Sequence, residues 1–278
     1  MTKLIDGKKI ADDLLVTLQR DIKTLNRHPG LAVILIGDDE PSKLYVRNKK
    51  KAAERVGINF YEYRCGGESF PNITQEQILE TIDFLNRDPN IDGIIVQLPI
   101  PKKFDTKTII EHINPAKDVD GFQPQDPSLL LEKIIITPPL IGAVTKALAS
   151  TGEPLEGKHA VIVSKNPIFS RPMGAALEKF GINTETITPN PGFDEITRKA
   201  DILIVIVGKR GIIKKSMVAP NAIVIDVGTN SIGDDQFAGD VDPEVAEVAG
   251  WLTPVPGGVG PLTVAMLLRG TYDLAMKH

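Results

Sequence analysis

Leu31-Ala32-Val33-Ile34-Leu35-Ile36-Gly37 is followed, after Asp38-Asp39-Glu40-Pro41-Ser42, by Leu44-Tyr45-Val46-Arg47-Asn48-Lys49-Lys50-Lys51-Ala52-Ala53-Glu54-Arg55-Val56-Gly57. The first run is continuously apolar and of strand length, as in a parallel strand buried on both faces. The second is helical: at about 100° per residue, Tyr45, Lys49, Ala52, Ala53 and Val56 share a face, while Arg47, Lys50, Lys51 and Glu54 point elsewhere. A helix just beyond the C-terminal end of a buried strand lies where open α/β sheets gather their ligands. Lys49 is the odd charge on the packed face. An ammonium held against apolar surface loses hydration, which lowers its pKa and suits it to proton transfer. The alternative is a packed stem whose head reaches water. Tyr45 lies one turn away, so its ring and the Lys49 amine can address one ligand together.

Ile10 to Leu25 places Leu14, Leu15, Leu18, Ile22 and Leu25 on a helical stripe that His28-Pro29-Gly30 ends. Asn59 to Cys65 reads as a strand, and Thr74-Gln75-Glu76-Gln77 has the form of a capping box opening a helix that ends near Asp88-Pro89. A second buried strand, Gly93 to Pro99, carries a lone amide, Gln97, near its C-terminal end. A buried amide needs a partner, either a neighbouring side chain or a ligand; a plain strand-ending glutamine is the alternative. The loop Asn114 to Phe122 holds Asp118 and Asp120. No further carboxylate or histidine nearby completes a cation site, which favours one aspartate as acceptor for a polar ring.

From Gly157 onward strands and helices alternate more cleanly. Ala160 to Val163, Thr184 to Thr188, Ile202 to Val207 and Ala222 to Val227 read as strands; Met173 to Phe180 and the region around Ile196 to Ala200 read as helical. This is a nucleotide-binding α/β pattern with its phosphate turn expected at Ser164 to Pro172. That turn contains no glycine, so the expectation rests on position and not on a GxGxxG match. Lys165 and Arg171 suit a phosphate, or simply form a solvated basic loop. Leu252 to Thr263 is the segment densest in glycine and proline. Gly257-Gly258 permits close approach of backbone to a ligand, and Pro261 suits the start of a last helix expected over Leu262 to Met276.

A length of 278 residues accommodates one large or two ordinary domains, and 42% hydrophobic with 24% charged residues describes a globular chain. The net charge of -4, without a basic stripe interleaved with aromatics, argues against a nucleic-acid or membrane-surface partner. A single cysteine, Cys65, excludes an internal disulfide, and four scattered histidines form no metal-ligand cluster, so no metal is expected. A reducing, cytoplasmic setting fits. The N-terminus has no signal-like apolar run, and no uncharged stretch reaches membrane-spanning length.

Five motifs now stand in order: Tyr45-Val46-Arg47-Asn48-Lys49; Val96-Gln97-Leu98-Pro99; Asp118-Val119-Asp120-Gly121; Gly208-Lys209 with Ile225-Asp226-Val227-Gly228; and Thr253-Pro254-Val255-Pro256-Gly257-Gly258-Val259-Gly260-Pro261. Together they resemble the bifunctional methylenetetrahydrofolate dehydrogenase/methenyltetrahydrofolate cyclohydrolase family, nearly end to end. The resemblance implies an α/β chain of two domains with tetrahydrofolate derivatives bound in a cleft between them. One is an N-terminal three-layer catalytic domain (1–139, completed by 252–278); the other is a Rossmann-type domain (140–251) for NADP, with NAD possible. It also implies a homodimer. Lys49 would be the catalytic lysine, Gln97 its hydrogen-bond partner, Tyr45 the stacking ring and Asp120 the grip on the pterin. Val96, Leu98, Pro256, Gly257 and Gly258 would line the substrate, and Ser164, Lys165, Asn166, Ile168, Gly208 and Thr229 the cofactor.

The cofactor turn departs from the family pattern Gly-Arg-Ser-x-Ile-Val-Gly-x-Pro. Both glycines are replaced by serine, Ser164 and Ser170, and the arginine by Lys165, a point charge in place of a fork. The family's Pro-Cys-Thr-Pro-x-Gly is altered to Thr137-Pro138-Pro139-Leu140-Ile141-Gly142. The expectation that follows is an intact cyclohydrolase whose dehydrogenase is weak, shifted toward NAD or lost. The competing readings are a two-domain dehydrogenase of shikimate type and a non-catalytic folate-binding protein.

Overall fold

The computed structural model describes residues 2–68, 70–121, 137–233 and 236–277. The chain forms two compact units, one of Asp12–Pro139 with the residues from Val264 onward, the other of Leu140–Thr263 with the first eleven residues.

The first unit is built on a parallel sheet of three strands. β1 (Lys3–Leu4) belongs to the other unit, and α1 (Gly7–Ile22) leads into this one, burying Ala11, Leu15, Leu18 and Ile22 along one stripe. β2 (Gly30–Ile36) is central, with β3 (Asn59–Cys65) on one side and β4 (Gly93–Gln97) on the other. Every residue of β2 and of β4 is buried, as continuous apolar runs require. Between β2 and β3 runs α2 (Glu40–Val56). Asp39 caps it, accepting from the Ser42 amide at 2.9 Å and hydroxyl at 2.7 Å, and Gly57 ends it in the left-handed region at φ 91°. Its buried stripe is Ser42, Val46, Ala53 and Val56. The expected packed face is therefore turned slightly: Tyr45, Lys49 and Ala52 flank the core without lying in it. α3 (Gln75–Arg87) opens on the expected capping box, with Thr74 and Gln77 exchanging side-chain-to-backbone hydrogen bonds at 3.3 and 3.0 Å. α4 (Thr106–Glu111) completes the apolar cluster of Ile34, Ile78, Ile82, Leu85, Ile94 and Ile109.

The second unit carries a six-stranded sheet in the order β1-β11-β8-β7-β5-β6, parallel throughout. Its strands are β5 (His159–Ser164), β6 (Asn183–Ile187), β7 (Ile202–Ile206), β8 (Ile223–Asp226) and β11 (Trp251–Leu252), with β1 at the edge. α5 (Pro139–Ala149), α6 (Pro167–Glu178) and the short α7 (Asp194–Thr197) connect them, and β9 (Asn230–Gly233) pairs with β10 (Gln236–Ala238) as an antiparallel ribbon. The last helix, α8 (Val259–Ala275), begins three residues earlier than expected, so Pro261 sits inside its first turn.

By contacts, the first eleven residues and the stretch up to Thr263 group with the six-stranded unit. The cause is β1, held by Lys3 N–H to Gly250 O and Ile5 N–H to Leu252 O, both 2.9 Å. A two-residue strand has no periodicity to read. The turn expected at Ser164–Pro172 is shorter: it is Lys165-Asn166, after which α6 begins at Pro167 and carries Ser170, Arg171 and Pro172 within it.

Candidate active site

In the first unit the site is assembled where β2 and β4 end. α2 delivers Lys49 and the end of β4 delivers Gln97, and Lys49 Nζ donates to Gln97 Oε1 at 2.7 Å. Gln97 Nε2 donates to the carbonyl of Leu98 at 2.6 Å, which obliges the amide oxygen to face the lysine. Both ends of a buried amide are thereby satisfied. The loop after α4 runs beside β4 through a bridge between Ile94 and Asp118, with Ile94 N–H donating to Lys117 O at 2.7 Å. Asp118 is used inside this loop, accepting from the Gly121 amide at 2.9 Å. Asp120 lies close enough to Lys49 for the two charges to act on each other. Its charge supports that of Lys49, while desolvation acts on both: burial is the largest influence on Lys49 and lowers its pKa, with Asp120 opposing. Burial likewise raises Asp120 to about 6, against the pull of Lys49 and with help from the Asp118 charge. Tyr45 is half-buried one turn before Lys49 on the same helix. Phe122, the last residue of the expected loop, lies outside the described residues.

Lysine, amide, carboxylate and ring thus come together in one unit, as a proton-transfer group beside an acceptor for paired N–H donors. No trio of His, Cys, Asp or Glu placed to hold a metal occurs among the described residues, and no helix among them is long and apolar enough to cross a membrane.

In the second unit, a groove of about 730 Å³ opens between the start of α6 and the loop after β6. It is lined by Ser164, Lys165, Arg171, Thr188, Asn190 and Phe193 among others, with no carboxylate. Of the six expected cofactor residues, Ser164 and Lys165 line this groove; Asn166 and Ile168 do not. Gly208 and Thr229 follow β7 and β8 instead. Their loops are organised by two buried acids: Asp226, quoted in the sequence only as part of the fourth motif and given no role, and Asp240, which the sequence did not single out. Asp240 accepts from the amides of Val207, Gly208 and Lys209 at 2.7, 2.9 and 2.8 Å, and from Asn230 Nδ2 at 2.9 Å. Asp226 accepts from Gly228, Asp240 and Val241 amides at 2.9, 3.0 and 2.9 Å; burial still raises it to about 7. A lone acid closing the apolar run of β8 was the available signal for Asp226; Asp240 had none. At Gly258 a Cβ would lie 2.5 Å from the Pro254 carbonyl, so close packing within the unit already requires glycine there.

The sequence pattern described as "Tetrahydrofolate dehydrogenase/cyclohydrolase, catalytic domain" matches residues 5–120, and that of the "NAD(P)-binding domain" of the same enzymes matches 138–278. The chain belongs to the tetrahydrofolate dehydrogenase/cyclohydrolase family. Among its relatives, the bifunctional protein FolD of Xanthomonas axonopodis pv. citri is 42% identical over 283 residues, spanning 98% of this chain and 92% of the relative. The bifunctional FolD of Campylobacter jejuni superposes with a TM-score of 0.91 at 37% identity, covering all of both chains. The Trypanosoma brucei enzyme, solved with NADP and an inhibitor, gives 0.92 at 30% identity over 99% of this chain and 98% of that one. None of these likenesses favours a member reduced to hydrolysis alone. The family membership bears out the two-domain α/β expectation with a nucleotide-binding half.

Proposed function

We propose that this chain oxidises 5,10-methylenetetrahydrofolate to 5,10-methenyltetrahydrofolate with NADP and hydrolyses the product to 10-formyltetrahydrofolate. The unit of Lys49, Gln97 and Asp120 carries the folate chemistry, and the six-stranded unit carries the dinucleotide. The observation that carries this reading is the 2.7 Å bond from a desolvated Lys49 to Gln97 in a member of this family.

Tyr45 offers a flat face to the pterin, and the Asp120 carboxylate accepts the pterin's adjacent N–H donors as a pair. The nicotinamide, when bound, supplies the hydride acceptor for the first step. The hydrolytic step belongs to Lys49. Water's oxygen bonds to the methenyl carbon as one of its protons passes to the Lys49 amine. The resulting ammonium returns a proton to N5 as the carbon–N5 bond breaks, and the remaining hydroxyl proton leaves as the formyl carbonyl forms. Gln97 keeps the amine aimed through both transfers, because its own amide group is tied to Leu98.

NADP in preference to NAD is supported by the groove beside α6. Sheets that select NAD place an acid where the ribose hydroxyls lie; here the lining has Thr186, Ile187 and Thr188 at the end of β6, with Lys165 and Arg171 opposite and no carboxylate. The family resemblance supports a homodimer, which sedimentation of the purified protein would test. The reaction is tested by following nicotinamide reduction with 5,10-methylenetetrahydrofolate and either NADP or NAD, with methenyl hydrolysis run in parallel. Both activities, with NADP the faster oxidant, are expected. Hydrolysis without reduction by either dinucleotide would overturn the redox half, and absence of both would overturn the whole.

A further inference from the structure

α3 ends at Arg87 with Asp88 as its C-terminal cap, and the last carbonyls of a helix have no partner within it. Here they meet a lysine. Lys117 is 9% exposed, and its Nζ donates to Leu85 O at 3.0 Å and to Asp88 O at 2.7 Å. The helix dipole favours a cation at that end. Burial nonetheless lowers the Lys117 pKa, against the charges of Asp88 and Asp92, so the ammonium gives up hydration to sit there.

The same last turn of α3 holds the following loop a second time. Asn86 Nδ2 donates to His112 O at 2.9 Å, and Asn86 Oδ1 accepts from the Asn114 amide at 2.8 Å. The main chain of Lys117 is engaged as well: its N–H donates to Asn114 O and its carbonyl accepts from the Ile94 amide of β4, both at 2.7 Å. Two residues on, Val119 is fully buried against Gly93, where a Cβ would stand 2.2 Å from Val119 Cγ2. Lys117 thus ties the loop between α3 and β4. Asp118 closes the turn on the Gly121 amide, which leaves Asp120 as the acid whose charge acts on Lys49. Lys49 is itself tied to β4 through Gln97. Acid and amine are therefore both placed from one strand, and Lys117 is the acid's second anchor.

We propose that Lys117 is a positioning residue for folate binding: clamped on the end of α3, it fixes the turn of residues 118–121 so that the Asp120 carboxylate stands where the pterin's N–H donors arrive. This rests on the reading of Asp120 as the pterin's acceptor. A lysine that only stabilised the end of α3 would leave the folded enzyme's affinity for folate unchanged. One that aims Asp120 acts on affinity, and only through that carboxylate.

The test is steady-state hydrolysis of 5,10-methenyltetrahydrofolate by the full-length protein, corrected for the spontaneous reaction. It compares the wild type, Lys117→Met, Lys117→Arg, Asp120→Ala and the double variant Lys117→Met/Asp120→Ala, with thermal unfolding to confirm that each is folded. Where turnover is too slow for a KM, the Kd for tetrahydrofolate from titration calorimetry replaces it. Lys117→Met is expected to raise KM by about tenfold, the scale of one charge-assisted hydrogen bond lost, with a much smaller change in kcat. Lys117→Arg, which keeps the charge and its donors, is expected to recover most of that affinity. In the Asp120→Ala background Lys117→Met should leave KM where it was, because the group it aims is gone. Should Lys117→Met not fold, Lys117→Gln, which keeps an N–H donor without the charge, takes its place with the same expected direction. A wild-type KM in the folded Lys117 variant, or an equal rise with and without the Asp120 carboxylate, would overturn the positioning role and leave Asp120 as the acceptor. A wild-type KM in Asp120→Ala would overturn the acceptor reading and the proposal together.

Discussion

Each unit places polar side chains at the C-terminal ends of buried parallel strands, and the two use them for opposite ends. Around β4, the Lys49 amine and the Asp120 carboxylate are both driven by burial toward their neutral forms. Around β7 and β8, Asp240 and Asp226 are more deeply buried, yet each spends its oxygens on backbone amides of neighbouring loops. An acid that accepts three or four internal hydrogen bonds is scaffold; an amine with one partner and a desolvated charge is poised for a reaction. Burial of a charged group is thus not in itself the mark of chemistry. Its hydrogen-bond inventory is.

Substitutions on the two sides should separate these uses. Lys49→Met is expected to lower methenyl hydrolysis by roughly 10²–10⁴-fold, the usual scale of a general acid–base group, in stopped-flow measurements, while raising the unfolding midpoint. The sign follows from the lowered pKa: a lysine that binds its proton less tightly when folded costs stability wherever it is charged, and that cost lifts only as pH rises through its folded value toward the ordinary lysine range. A hydrolytic rate within a few-fold of the wild type would place Lys49 among the scaffold. Asp240→Ala should do the reverse. It strands the amides of Val207, Gly208 and Lys209, at about 1–3 kcal/mol for each buried donor left unpaired, so urea unfolding should show a loss of about 3 kcal/mol or more with methenyl hydrolysis by the folded fraction largely preserved.

A smaller, pH-dependent effect belongs to Asp120. Its folded pKa of about 6 lies above the ordinary carboxylate value, so the folded chain holds a proton that the unfolded chain has released between roughly pH 4 and pH 6. Its contribution to stability therefore falls as pH rises through that window and is least favourable at neutrality. Asp120→Asn should remove this part of the slope, read as a gain in urea midpoint over the wild type at pH 7.5 that shrinks at pH 4.5. An equal gain at both would mean that Asp120 is not desolvated. Smallest is Asp39→Ala, which removes the cap of α2 and should cost about 1 kcal/mol of stability, with little change in hydrolysis because Gln97 still fixes the Lys49 amine.

The first unit was the more legible in sequence, for a physical reason. Lys49 and Gln97 interrupt apolar periodicity, and a lone polar group on an otherwise buried element is visible without knowing what it touches. The continuous run Leu31–Ile36, the capping box at Thr74 and the strand Asn59–Cys65 were equally plain, each a local pattern with a local cause. Pairing by long-range backbone contact was not. Nothing in Lys3-Leu4 announces a parallel partner at Trp251-Leu252, and Asp240 sits in a loop with no pattern to break. The segment Ser164–Pro172 misled because it was placed by position as one long turn, whereas Asn166 and Pro167 are a cap and a first helical residue.

The most direct test of the account is the pH dependence of methenyl hydrolysis in the wild type and in Gln97→Glu, corrected for the spontaneous reaction. A carboxylate in place of the amide would favour the charged lysine, so the limb of the profile set by Lys49 should lie below the ordinary lysine range in the wild type and move to higher pH in the variant. Profiles that coincide in the two proteins would contradict the assignment of the proton-transfer step to the Lys49–Gln97 pair.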